Sequence, residues 1–138
     1  MSAGYSATPL SKKLGIKQGL TLVTINAPAH YSELISPLPD AVTLATDQSA
    51  DFDLLHLFTT SRAELNDVLT RHRHSMKQTA AIWVSWPKKA SKIPSEIAED
   101  VIREICLPMG LVDIKVCAVD QVWSGLKLVI RKNLRQAK

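Results

Sequence analysis

The feature that most constrains the fold of this chain is an apolar run that leads directly into a cationic loop. Residues 80–86, Ala-Ala-Ile-Trp-Val-Ser-Trp, contain no charged side chain. Such a run is typical of a strand covered on both faces, as in a parallel sheet between helices. Pro87 ends ladder pairing, and Lys88 and Lys89 follow at once. We therefore expect a buried strand that presents a pair of lysines at its end.

Size and composition favour one globular domain. The chain has 138 residues, of which 46% are hydrophobic and 22% charged, so it can bury a core without metals or disulfides. We predict a single domain over residues 1–138, with an N-terminal helical segment at 1–19 and a basic tail at 132–138. No apolar run is long enough to span a bilayer and no signal peptide is recognisable, so we expect a cytoplasmic protein. Cys106 and Cys117 form no CxxC pair and are expected to be reduced core thiols.

Positive charge is concentrated toward the C-terminal end. The formal net charge is +4, yet residues 18–61 contain no lysine or arginine. Five basic residues close the chain with no acid among them: Lys127, Arg131, Lys132, Arg135 and Lys138. An anionic partner is expected to prefer this part of the chain, although a modest excess of this kind is also typical of a solvated surface.

Strand-like and helix-like segments alternate along the sequence. The predicted strands are residues 20–25, 42–45, 52–58, 80–86, 111–119 and 126–130, with a turn over 120–125 before the last one. Helices are predicted at residues 8–15, with Thr8 as N-cap, and at 31–35. Two more are expected to follow Ser61, which opens a capping box with Glu64, and Ser95.

This order predicts an α/β domain with a mostly parallel sheet of about six strands and a C-terminal antiparallel strand. The connection between the second and third strands is too short for a helical crossover, so either a crossover has been lost or the second strand lies at the sheet edge.

The layout resembles class I S-adenosylmethionine-dependent methyltransferases over residues 20–131. In that family the final antiparallel strand inserts between the fifth and sixth, which brings the hairpin turn to the ligand-bearing edge. The family's glycine-rich cofactor loop is replaced here by Asn26-Ala27-Pro28. Asp47 stands where the family has an acidic residue after its second strand, or is a solvated turn residue.

Several sequence blocks are also similar to a family of small bacterial proteins of unknown function. They are Gly4-Tyr5-Ser6, Thr8-Pro9-Leu10, Lys13-Leu14-Gly15, residues 83–89 (Trp-Val-Ser-Trp-Pro-Lys-Lys) and residues 123–127 (Trp-Ser-Gly-Leu-Lys). The resemblance implies a truncated, Rossmann-like methyltransferase domain whose activity is not established.

In an open α/β sheet, ligands bind outside the carboxyl ends of the strands. If the strand order follows the methyltransferases, that edge collects Asn26, Thr59, Ser61, Trp86, Lys88, Lys89, Asp120, Trp123 and Lys127. The three lysines would supply charge, and the N-terminus opened by Ser61 would add free N–H groups. Trp86 and Trp123 would stack a base or adenine ring. The alternatives are solvated lysines and tryptophans that fill the core.

The remaining candidate residues favour no catalysis. His56, within a strand, is expected to be a buried, hydrogen-bonded imidazole. His72 and His74 point to different faces of a helix, so they cannot share a metal ion. No nucleophile elbow, Walker loop or GxGxxG sequence occurs. We therefore predict no catalytic residue and no metal site.

The interpretation that follows is a non-catalytic or vestigial methyltransferase-like domain that binds an anionic or nucleotide-like small molecule. One alternative is an active S-adenosylmethionine-dependent methyltransferase with an atypical cofactor loop. The other is a protein-interaction or nucleic-acid-binding module that uses the basic C-terminal segment. The cofactor and the oligomeric state stay open, and no membrane partner is expected.

Overall fold

The computed structural model describes residues 8–48 and 51–135. The Gly4-Tyr5-Ser6 block and the end of the predicted basic tail lie outside these residues. The strands are β1 (Thr21–Ile25), β2 (Thr43–Ala45), β3 (Leu54–Phe58), β4 (Ala81–Pro87), β5 (Leu111–Ala118) and β6 (Trp123–Ile130). The helices are α1 (Leu10–Leu14), α2 (Tyr31–Leu34), α3 (Arg62–Arg73) and α4 (Glu99–Cys106). Short 3-10 turns cover Lys89–Ser91, Leu107–Met109 and Lys132–Leu134.

All six strands form one mixed sheet in the order β2-β1-β3-β4-β6-β5. β1 pairs in parallel with β2 and β3, and β3 pairs in parallel with β4. β6 is antiparallel to both β4 and β5, between which it is inserted. The α/β prediction is confirmed, and β2 is the edge strand that its short connection to β3 allowed.

Helices cover the sheet on both faces and produce two cores. On one face, the stripe of α3 formed by Leu65, Val68 and Leu69 packs with Ile102 of α4. On the other face, α1 and α2 cover a core that includes the fully buried Trp83. The Trp83 indole Nε1 donates to the Leu14 carbonyl at 2.9 Å, which fixes α1 to the centre of the sheet. All residues of β4 are buried, as its apolar run predicts.

The hairpin turn is tighter than the sequence predicts. Residues 123–125 were expected in the turn, but they are the start of β6, where Gly125 pairs with Ser85. The reversal is short because Asp120 Oδ1 accepts from the backbone N–H groups of Val122 and Trp123, each at 2.8 Å. An Asp side chain that bonds the backbone two residues ahead sharpens a turn in this way.

Two predicted helix starts differ from the structure. The N-cap of α1 is Pro9 rather than Thr8. α4 begins at Glu99, because Ser95 Oγ accepts from the N–H of Ile97, two residues ahead, and so forms a turn instead of a cap. The Ser61 cap of α3 is confirmed: its Oγ accepts from the N–H of Glu64 at 3.1 Å.

Both cysteines are free thiols. Cys106 is fully buried, as expected for a core thiol, whereas Cys117 on β5 is only partly buried. Within residues 8–48 and 51–135, no helix combines the length and the apolar character that crossing a membrane requires.

Candidate functional site

The end of β4 and the β5–β6 hairpin lie side by side at the carboxyl edge of the parallel strands. Trp86 pairs with Ser124, and Pro87 pairs with Trp123. The N–H of Lys88 then donates to the Val122 carbonyl at 2.7 Å. The two segments that carry most of the predicted site residues are therefore adjacent.

The two tryptophans at this edge nevertheless lie on opposite faces of the sheet. Trp86 belongs to the core beneath α3 and α4, and its exposed fraction is 8%. Trp123 packs against the other core, with its ring edge-on to Phe58 at a centroid distance of 5.1 Å. Trp123 lies opposite Pro87, the residue that follows Trp86. Since successive side chains of a strand point to opposite faces, the two tryptophan side chains do so as well. They cannot hold one ring between them, and only Trp123 keeps partial exposure.

Lys88, Asp120, Trp123 and His30 form what we call the hairpin group. Lys88 Nζ donates to the Asp120 carbonyl at 2.7 Å. Asp120 Oδ2 lies 3.1 Å from His30 Nε2, which ties the hairpin to the loop before α2. Burial alone would raise the pKa of Asp120, but the donors of Trp123, His30 and Val122 outweigh it and hold that pKa below its ordinary value. Asp120 is therefore an anion whose carboxylate bonds groups of the protein itself.

Asn26, Thr59, Ser61 and Glu64 form a second cluster, the helix group, over the ends of β1 and β3. Asn26 Nδ2 donates to the Phe58 carbonyl at 3.1 Å and to Glu64 Oε2 at 3.0 Å. Thr59 Oγ1 donates to Glu64 Oε1 at 2.6 Å and accepts from the N–H of Ser61. Glu64 thus bonds side chains at the ends of β1 and β3. The hydrogen bond from the N–H of Ser61 to the Glu64 carboxylate, the second bond of the predicted capping box, is not formed, because that N–H donates to Thr59.

The N-terminus of α3 already has acceptors. The N–H of Glu64 donates to Ser61 Oγ, and the N–H of Arg62 donates to Glu96 Oε1 at 2.9 Å. A helix start that a hydroxyl and a carboxylate occupy in this way does not offer these donors to an added anion. The expected contribution of free N–H groups near Ser61 is therefore absent at these two positions.

The residues after β1 do not fit the cofactor loop of the methyltransferases. A glycine-rich loop there lets a ligand approach the backbone. Here Asn26 adopts the left-handed conformation, with a φ of 60°, and its side chain reaches across to β3 and α3. Side chains of the helix group, including the carboxylate of Glu64, therefore lie over the ends of β1 and β3.

Lys127 and Lys89 lie apart from one another. Lys89 is exposed in the 3-10 turn after β4. Lys127 is four residues into β6, directly opposite Trp83 and about 13 Å along the strand from Trp123. Its ammonium lies beside Gly15, at the end of α1. Lys127 thus belongs to the middle of the sheet and not to the carboxyl edge.

His56 lies in a fully buried chain of hydrogen bonds, as predicted. Its Nδ1 is 2.8 Å from the Tyr31 hydroxyl, and its Nε2 is 2.7 Å from Ser85 Oγ. Burial lowers the pKa of His56 to about 3. A Ser–His contact of this length resembles a catalytic dyad, but neither side chain has any exposed surface. These hydrogen bonds therefore satisfy the polar groups of three side chains within the core.

Three residues at this edge were missed from the sequence: His30, Glu64 as a bridging group, and Glu96. His30 stands in a Pro-Ala-His loop with no distinguishing pattern. Glu64 was assigned a purely local role in capping. Only Glu96 stood in a recognisable pattern, the predicted first turn of the helix after Ser95. That pattern indicated an interaction with its own helix, whereas Glu96 accepts from the N–H of Arg62.

The solved structures to which this chain is similar include methyltransferases. A SAM-dependent methyltransferase from Aquifex aeolicus matches with a TM-score of 0.61 and 17% identity, over 88% of this chain and 87% of that chain. A putative type 11 methyltransferase from Sulfolobus solfataricus has a TM-score of 0.61 and 14% identity, over 93% of both chains. Aeropyrum pernix fibrillarin, solved with bound S-adenosyl-L-methionine, has a TM-score of 0.56 and 13% identity, over 84% of this chain and 69% of that chain. No protein-family model and no curated protein matches the sequence.

The chain therefore has a Rossmann-like α/β fold of the class I methyltransferase type. Likeness at these identities defines the fold alone, because one fold supports many functions.

Proposed function

We propose that this protein is a non-catalytic methyltransferase-like domain that binds a small anionic or nucleotide-like molecule at the carboxyl edge of its sheet. The binding residues are Lys88 and Lys89 for charge and Trp123 for ring contact. The helix group lies outside the proposed site, since Glu64, together with Glu96 at the N–H of Arg62, would repel an anion there.

One observation carries this proposal. Among the described residues, no carboxylate forms an ion pair with Lys88 or Lys89. The nearby carboxylate of Asp120 bonds backbone N–H groups and His30 instead, and it gives Lys88 only its main-chain oxygen. Two consecutive lysines without an ion-pair partner, at the end of the strand whose Pro87 pairs with the partly exposed Trp123, match the chemistry of a phosphate ester attached to a planar ring.

The absence of catalysis rests on Asn26 and its partners. A methyl transfer would need adenosylmethionine, whose site we expect over the ends of β1 and β3. Asn26 bonds the Phe58 carbonyl and Glu64 at these strand ends, which supports the proposal. Binding of adenosylmethionine would require these bonds to break and the carboxylate of Glu64 to move.

The test is isothermal titration calorimetry with AMP, ADP, ATP, pyrophosphate and adenosylmethionine at constant ionic strength. We expect a nucleotide phosphate to bind and adenosylmethionine not to bind. Lys88→Ala with Lys89→Ala should abolish the binding of AMP, which has no linked phosphates, whereas Arg131→Ala with Lys132→Ala, which removes the same charge from exposed positions, should not. Equal loss in both double variants would indicate non-specific attraction, and saturable adenosylmethionine binding would favour an active methyltransferase.

A further inference from the structure

A second cationic site lies between the N-terminal helix α1 and the outer strand of the sheet. A cavity of about 450 Å3 opens between α1 and the edge strand β5. Three lysines line it, Lys12 and Lys13 from α1 and Lys115 from β5, together with Cys117. Lys115 Nζ donates to the Lys13 carbonyl at 3.0 Å, which holds the two walls together.

The floor of this region contains a further like-charge contact. Lys115 and Lys127 are direct cross-strand partners in the β5–β6 ladder. Like charges placed opposite one another destabilise a sheet. Burial lowers the pKa of the partly buried Lys127, and the nearby charges of Lys115 and Lys17 lower it further. The fold thus retains an unfavourable grouping of cations that a hydrophobic or acidic residue at either position would relieve.

The described part of the chain provides no compensating acid. Five lysines belong to the region: Lys12, Lys13, Lys17, Lys115 and Lys127. None of them forms an ion pair with a described carboxylate, whereas Lys77, Arg62, Arg71 and Arg103 elsewhere all do.

We propose that the cavity between α1 and β5 binds a small multivalent anion, such as a molecule carrying two linked phosphate groups, through Lys12, Lys13 and Lys115. Phosphate oxygens would accept from the three ammonium groups at the wall, and the nearby charges of Lys127 and of the exposed Lys17 would add to the attraction. The volume accommodates a small molecule rather than a folded partner. This site is separate from the one proposed at Lys88 and Lys89.

Cys117 supplies a direct readout, since it lines the cavity and is partly exposed, while the fully buried Cys106 is an internal control. The experiment follows iodoacetamide alkylation of each cysteine by peptide mass spectrometry at about pH 9, because burial raises the pKa of Cys117 and only the thiolate reacts. Pyrophosphate is the probe, and sodium chloride of equal ionic strength is the control. Alkylation of Cys117 should slow by about tenfold once pyrophosphate exceeds its dissociation constant by about tenfold, because only free protein reacts.

Variants separate this site from the hairpin group. Each variant is compared with itself, with and without pyrophosphate, because a lysine change also alters the basal reactivity of the thiol. Lys13→Gln with Lys115→Gln should lose the protection, and Lys88→Gln with Lys89→Gln should keep it. Absence of protection in the unmodified protein, equal protection in the Lys13/Lys115 variant, or protection by an RNA oligonucleotide but not by pyrophosphate would each overturn the proposal.

Discussion

Acid should destabilise this protein through its buried histidine, His56. Burial lowers the pKa of His56 to about 3, from an ordinary value of 6.5. Between these values the unfolded chain binds a proton that the native protein does not, so stability falls as the pH falls. The free energy of unfolding is therefore not reduced by His56 above about pH 6.5, and below that pH it decreases by about 1.4 kcal/mol per pH unit. At about pH 4.5 the loss from this residue is roughly 3 kcal/mol, a large share of the stability of an ordinary domain.

The assay is urea unfolding, followed by tryptophan fluorescence, across that pH range. His56→Gln removes the titrating group, so its unfolding free energy should depend less steeply on pH than that of the unmodified protein. His74→Gln, at an exposed position, is the matched control and should leave the slope nearly unchanged. If His56→Gln does not fold, NMR titration of the imidazole in the unmodified protein gives the same information. A His56 ring that titrates near pH 6.5 would refute the reasoning.

Three further predictions concern stability. Gly125→Ala should cost about 1–3 kcal/mol by urea unfolding, because its Cβ would lie 3.2 Å from Trp83 and 3.3 Å from Ser85 Oγ; unchanged stability would contradict this packing. Ser61→Ala should cost about 1 kcal/mol and Ser95→Ala less, since only the former caps a helix; equal losses would be inconsistent with the assignment. The hydrogen bond from Lys77, assisted by the N–H of Thr21, lowers the pKa of Asp53. The stability that the ionised Asp53 provides should therefore be present near neutral pH and lost in acid. Asp53→Asn should make the free energy of unfolding less dependent on pH in acid, and an unchanged dependence would count against this assignment.

The sequence predicts the fold well where the signals are local. The apolar run of β4, the capping serine of α3 and the helical stripe below it each depend on a few neighbouring residues. The edge position of β2 was one of the two alternatives that the sequence left open, because no helix fits into its short connection to β3.

The site could be predicted only in part, because it depends on register and on distant partners. The predicted turn over residues 120–125 is three residues too long, and it placed Lys127 near the carboxyl edge. Because β6 starts at Trp123, Lys127 lies in the middle of the sheet. The same register puts Trp86 and Trp123 on opposite faces.

Long-range hydrogen bonds account for the other differences. Glu64 has the sequence position of a capping residue, yet its carboxylate bonds Asn26 and Thr59. Which acceptor satisfies a polar group depends on what the tertiary fold brings near, and spacing along the chain does not encode it.

The proposed function requires that the carboxyl edge binds an anion at the hairpin and does not bind adenosylmethionine over β1 and β3. The most direct measurement is a two-dimensional amide NMR titration with ADP and, separately, with adenosylmethionine. We expect saturable ADP-induced shifts at Lys88, Lys89 and Trp123, and none with adenosylmethionine at Asn26 or Glu64. Saturable adenosylmethionine shifts at Asn26 and Glu64, or no ADP response at the two lysines, would contradict it.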